Sequence, residues 1–125
     1  MNMSGSVSSA AEWRAARARL AEAGAATSCA TRIGRLRSRC RGTAAQAHAR
    51  QLAMYLAHVV FGLNYTQIGL CFGRDRTTVR HACARIEDAR DDRLWDGTLS
   101  ALELALTIFE RRLHARLARV AETRR

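Results

Sequence analysis

The chain has 125 residues, 48% hydrophobic but only 6% aromatic, with no proline. That is enough for one domain with a modest core built from Leu, Ala, Val and Ile, which suits packed helices better than a sheet. The net charge of +10 and a pI near 11.2 point to a polyanion partner.

All 21 basic residues are arginine, a side chain suited to bidentate contacts with phosphate and guanine. No apolar run has transmembrane length and the N-terminus lacks a signal-peptide core, so a soluble, cytoplasmic chain with no membrane partner is expected. The four cysteines have no CxxC spacing and the histidines complete no zinc-finger pattern. Buried free thiols are expected, with no metal and no cofactor.

Residues 1–8 are small and polar and read as a disordered tail. Ser9 to Glu12 has the S-x-x-E form of a capping box and opens a helix to about Ala23. Gly24 to Ser28 reads as its break. Trp13, Ala16 and Leu20 form a thin apolar stripe that needs a partner.

Thr31 to Arg41 carries Arg32, Arg35, Arg37, Arg39 and Arg41 with no acid. It reads as a basic amphipathic helix or as a flexible arm, and in either form as a backbone- or minor-groove-contacting segment. The charge balance is +6 over residues 1–43, +3 over 44–90 and +1 over 91–125, so the positive field is strongest before the central segment.

Thr43 and Gln46 suggest another capping box, followed by a helix to about Phe61. Leu52, Tyr55, Leu56, Val59 and Val60 are expected inward, Gly62 as the stop and Leu63 packing back. Arg50 lies off that apolar face, near the helix start.

Asn64 to Glu87 reads as two short helices joined by a tight turn. Asn64 and Gln67 form a capping box, Ile68, Cys71 and Phe72 share a face, and Gly73 ends the first helix. Gly69 inside it costs about 1 kcal/mol relative to alanine, which implies a packing reason such as close approach of the next helix. Asp75 is placed to cap a second helix from Arg76, with Val79, Ala82, Cys83 and Ile86 inward. Its first turn presents cations, hydroxyls and free backbone N–H groups, the chemistry by which a helix reads base edges and binds phosphates.

FGRDRTTVRHACARIE, together with ARQLAMYLA (Ala49 to Ala57) and YTQIG (Tyr65 to Gly69), resembles the C-terminal DNA-binding domain of the bacterial replication initiator DnaA. The likeness covers roughly residues 42–90. It implies an all-α helix-turn-helix bundle, of the DnaA C-terminal or Trp-repressor kind, here with an extra N-terminal helix and a long C-terminal one. It also implies double-stranded DNA as partner. Asp75, Thr77 and Thr78 match positions that touch bases or phosphates. Arg50 matches an arginine that enters the minor groove, Arg74 a signature arginine and Arg85 a basic position near the far backbone; His81 matches the family's helix histidine and is assigned a phosphate contact here. Arg80 lies on the same exposed surface. The chain departs from the family pattern twice: one glycine of a GG pair is missing, and Arg76 replaces a base-reading histidine.

Residues 88–96 read as a charged connector anchored by Trp95. A long helix is expected from about Leu99, capped by Ser100 and Glu103 and striped by Leu99, Leu102, Leu106, Phe109, Leu113, Leu117 and Val120, with Leu104 and Ile108 widening the stripe. It could fold back over the helix-turn-helix, pair with Trp13 and Leu20, or form a homodimer seam.

The chain shows no GxxxxGK[ST] loop, paired carboxylates, or nucleophile–base pair. A non-enzymatic DNA-binding protein without ATPase activity or small-molecule substrate is expected, regulating transcription or replication initiation at DnaA-box-like sites. The alternative is a sequence-tolerant coater of nucleic acid.

Overall fold

The computed structural model describes residues 3–29 and 44–124, which form five helices and no strand. They are α1 (Met3–Cys29), α2 (Ala44–Val59), α3 (Tyr65–Phe72), α4 (Arg76–Ala89) and α5 (Arg93–Thr123). The Arg32–Arg41 segment, Cys40 and Thr43 lie outside the described residues.

The core forms where α1, α2, α3 and α4 meet, with the first half of α5 laid across it. Leu52, Tyr55 and Leu56 of α2, Ile68 and Phe72 of α3, Val79, Ala82, Cys83 and Ile86 of α4, and Leu99 of α5 are all buried there. Ala18, Ala21 and Ala25 of α1 complete it. Alanine on this face lets α1 lie close to α2. Trp95 packs against the core from α5 and tilts against His48, with ring centroids 5.1 Å apart.

Three expected boundaries are corrected. α1 does not break at Gly24 but runs on to Cys29. Gly24 is small because α5 crosses there: a Cβ would sit 3.2 Å from Leu106 Cδ1. α1 also begins at Met3, ahead of Ser9, so the expected tail over 1–8 is helical from its third residue. Once packing has fixed the Ala18–Ala25 turns, adding turns costs far less than nucleating them. Finally, α5 starts at Arg93. Its cap is Asp92, whose carboxylate accepts from Leu94 N–H at 3.0 Å and Trp95 N–H at 3.4 Å.

Two side chains are also less buried than the stripe implies. Val59 is 45% exposed, because α2 unwinds just after it, and Cys71 is half-buried at the core edge. α2 stops with Gly62 at φ 69, where Gly62 N–H reaches His58 O and Leu63 N–H reaches Ala57 O, turning Leu63 into the core.

Along its middle α5 pairs with α1. Arg17 holds Glu110 at 2.7 Å and donates to His114 Nε2 at 3.0 Å, and Trp13 stacks on His114. Of the predicted α5 stripe, Leu99 and Leu106 are buried and Leu102 is partly so. Phe109, Leu113, Leu117 and Val120 are 39 to 54% exposed. Among the described residues no helix is long and apolar enough to cross a membrane.

Candidate nucleic-acid interface

The turn between α3 and α4 aims the second helix. Asn64 accepts from Gln67 N–H at 2.8 Å and Gln67 returns the bond to Asn64 N–H at 3.0 Å, so the expected capping box forms. Gly73 ends α3 in the left-handed region at φ 66. Gly69 is tight for a reason other than the next helix: a Cβ there would lie 2.5 Å from the Arg74 carbonyl oxygen. The Arg74 N–H also donates to Gly69 O at 3.0 Å. The Arg74 carbonyl thus points at Gly69, and the next residue is the cap of α4.

Asp75 caps α4 by accepting from Thr78 N–H at 2.7 Å. Bonding to the Thr78 backbone and hydroxyl holds its carboxyl below the usual carboxylate range. Val79, Ala82, Cys83 and Ile86 face inward as expected. Arg76, Thr77, Thr78, Arg80, His81 and Arg85 are all exposed.

These exposed residues divide between two flanks. Thr78, His81 and Arg85 line a cleft between α2 and α4 whose other walls include Arg50, Gln51 and Arg74. Arg50 is not an outward-facing arginine; it is half-buried at this edge. Burial, then the neighbouring Arg74 cation, pushes its guanidinium below the ordinary value. Two cations facing one cleft favour an anion between them. Helical spacing puts Arg76 and Arg80 on the opposite flank of α4, with Thr77 at its outer edge. The cleft and the outer edge with the far flank are thus two separate exposed surfaces of α4.

Two arginines outside the predicted set position this site. Arg90, at the end of α4, donates to Asp96 at 2.6 Å, to Tyr55 OH at 2.9 Å, to Ser100 at 2.9 Å and to Glu103. Tyr55 OH in turn donates to Glu87 at 3.0 Å. This network ties α2, α4 and α5 together and raises the Arg90 pKa further, chiefly through Asp96. Ser100 and Glu103, expected as a cap, are spent here instead. Arg19 of α1 pairs with the buried Glu22 at 2.6 Å, donates to Cys71 O at 2.8 Å and lies over the Phe72 ring, so α1 braces α3. The Arg19–Glu22 pair is local, but the bracing of α3 at Cys71 and the tie from Arg90 to Tyr55 depend on partners distant in sequence.

Comparison with known proteins places the same segment. Residues 26–86 match the family described as the bacterial dnaA protein helix-turn-helix. The chromosomal replication initiator protein DnaA of Acinetobacter baumannii is 45% identical over 47 residues, which is 37% of this chain and 10% of that protein. The protein of the same name from Acinetobacter baylyi is 43% identical over 47 residues, again 37% of this chain and 10% of that protein. That of Lachnoclostridium phytofermentans is 40% identical over 58 residues, 45% of this chain and 13% of that protein. The likeness therefore spans only about a tenth of these relatives' length. The family match runs from the last turn of α1 through α2 and α3 and along α4 to Ile86, and so includes the elements that build the cleft. Residues 26–86 of this chain are thus similar to the bacterial DnaA helix-turn-helix, and among its described residues α3, the turn and α4 have that arrangement.

Proposed function

We propose that the chain binds double-stranded DNA in a sequence-dependent way, with α4 in the major groove. One observation carries this reading: the capped first turn of α4 stands open beside a cleft lined by Arg50, Arg74 and Arg85. In this arrangement Arg76 and Thr77 reach base edges, with Asp75, Thr78 and Arg80 at the groove margin. Arg50, Arg74, His81 and Arg85 hold phosphates or the adjoining minor groove. The arginine-rich residues 32–41 add backbone contacts. The sites resemble DnaA boxes, altered where Arg76 replaces the family's histidine, since a guanidinium selects guanine. Occupying such sites would regulate transcription or replication initiation without nucleotide hydrolysis and would keep the protein on the nucleoid.

The test is selection of bound sequences from a random duplex pool with the wild-type chain and with Arg76→Ala/Thr77→Ala. A defined sequence that relaxes in the double variant supports the reading; an unchanged sequence at unchanged affinity overturns it. The balance of +6 over residues 1–43 favours a second reading, a sequence-tolerant coat. Equal affinity for all duplexes, falling steeply with salt, would support that one instead.

A further inference from the structure

On α5 we infer a homodimer seam, formed by the outward face of its first half. Leu94, Leu104 and Ile108 are 87, 61 and 41% exposed there. Gly97, Ala101 and Ala105, each four residues from the next, run along the same face and are exposed as well. None of the six is charged, on a chain whose net charge is +10. The opposite face of the same turns carries the buried Leu99 and Leu106. A helix apolar on both faces is normally covered on both. Gly97 is unexplained within one chain, because a Cβ there would meet nothing within 4 Å. Small residues in that row let a second helix approach closely.

The occupant that fits is a second copy, running antiparallel across a two-fold axis near Ala101. In that register Leu94 meets the second copy's Ile108 and Gly97 meets its Ala105, so the face is complementary to itself. Arg112 comes near the second copy's Asp91, which is exposed, while Arg111, on the other edge of the face, comes near the second copy's Arg93. A parallel pairing would set the two copies of Arg112 against each other. A specific interface needs about 1,000 Å² buried in all, or about 500 Å² from each copy, and Leu94, Leu104 and Ile108 supply the largest exposed side chains of this face. The Arg90 network fixes α5 to α2 and α4, so the two recognition surfaces would be held at one spacing. The seam does not depend on the DNA-binding reading, and mass measurements test it alone.

Sedimentation equilibrium of the full chain across micromolar concentrations should give twice the 13.9 kDa chain mass. Ala101→Glu, on an exposed position, should give a monomer with unchanged helical circular dichroism. Asp91→Arg and Arg112→Asp should each weaken association at least about tenfold, a loss of about 1.4 kcal/mol, and their combination should recover it. A wild-type monomer at every concentration, or a dimeric Ala101→Glu, overturns the seam. Failure of the charge swap to recover association overturns the antiparallel register.

Discussion

Gly69 and Gly97 are both interior helical glycines, and the structure predicts opposite outcomes for the same substitution. Replacing either with alanine gains about 0.8–1.0 kcal/mol of helix propensity. At Gly97 the added methyl meets nothing within 4 Å, so that gain should appear almost undiminished. At Gly69 it would lie 2.5 Å from the Arg74 carbonyl oxygen. Ordinary carbon–oxygen contacts begin at about 3.3 Å, so the turn must yield by roughly 0.8 Å. The obstacle is backbone, pinned by the Arg74 N–H bond to Gly69 O and by the Asp75 cap that follows. Overpacking of this kind costs about 1–3 kcal/mol, and a backbone obstacle places it in the upper half of that range. Gly69→Ala should therefore lose about 1–2 kcal/mol net, or about 4–8 °C in Tm for a chain of this size. Urea unfolding in an Ala101→Glu background removes any contribution from self-association. A Gly69→Ala variant as stable as its parent would refute the close approach; a Gly97→Ala variant that loses stability would refute the open one.

Arg90→Met should cost about 1–3 kcal/mol in urea unfolding, because it strips hydrogen bonds from Tyr55, Ser100, Asp96 and Glu103 together; Arg90→Lys should recover little, since an ammonium cannot span that fan of acceptors. Arg50→Ala should weaken binding to all duplexes alike and lower the salt slope by about 1, measured by fluorescence anisotropy in a salt series. The Asp75 cap stabilises the fold fully above the usual carboxylate range and is lost as the pH falls through its depressed folded value. Asp75→Asn should accordingly flatten the acid limb of a stability–pH profile, read by thermal melts across the acid range.

The helix-turn-helix was legible because its signals are local. Asn64 with Gln67, Gly73 and Asp75 each act within four residues, and the Val79–Ile86 stripe is a simple period. What escaped depends on distant partners. Gly24 has the look of a helix stop, but its neighbours are Leu102 and Leu106. Ser100 and Glu103 have the spacing of a capping box, but their partner is Arg90. The cleft was half legible: family likeness named Arg50, Arg74, Thr78, His81 and Arg85, but only the fold brings Arg50 beside Arg74 and leaves Arg76 and Arg80 on the other flank.

The missing glycine of the family's GG pair bears directly on how α4 is aimed. Between Phe72, the last residue of α3, and the cap Asp75 there are only Gly73 and Arg74. Gly73 takes the left-handed conformation at φ 66, and by Asp75 the chain is already extended at φ −77. The reversal is therefore placed on Gly73, and Arg74 contributes its peptide to the contact with Gly69. A Cβ in the left-handed region costs about 1–2 kcal/mol, except that asparagine adopts it more readily. Gly73→Ala should then destabilise by about 1–2 kcal/mol and Gly73→Asn by clearly less, with DNA affinity following the same order because the same turn sets the direction of α4. Chemical unfolding and anisotropy on one selected duplex measure both. Equal stability for the alanine and asparagine variants would show that the left-handed residue does not carry the turn.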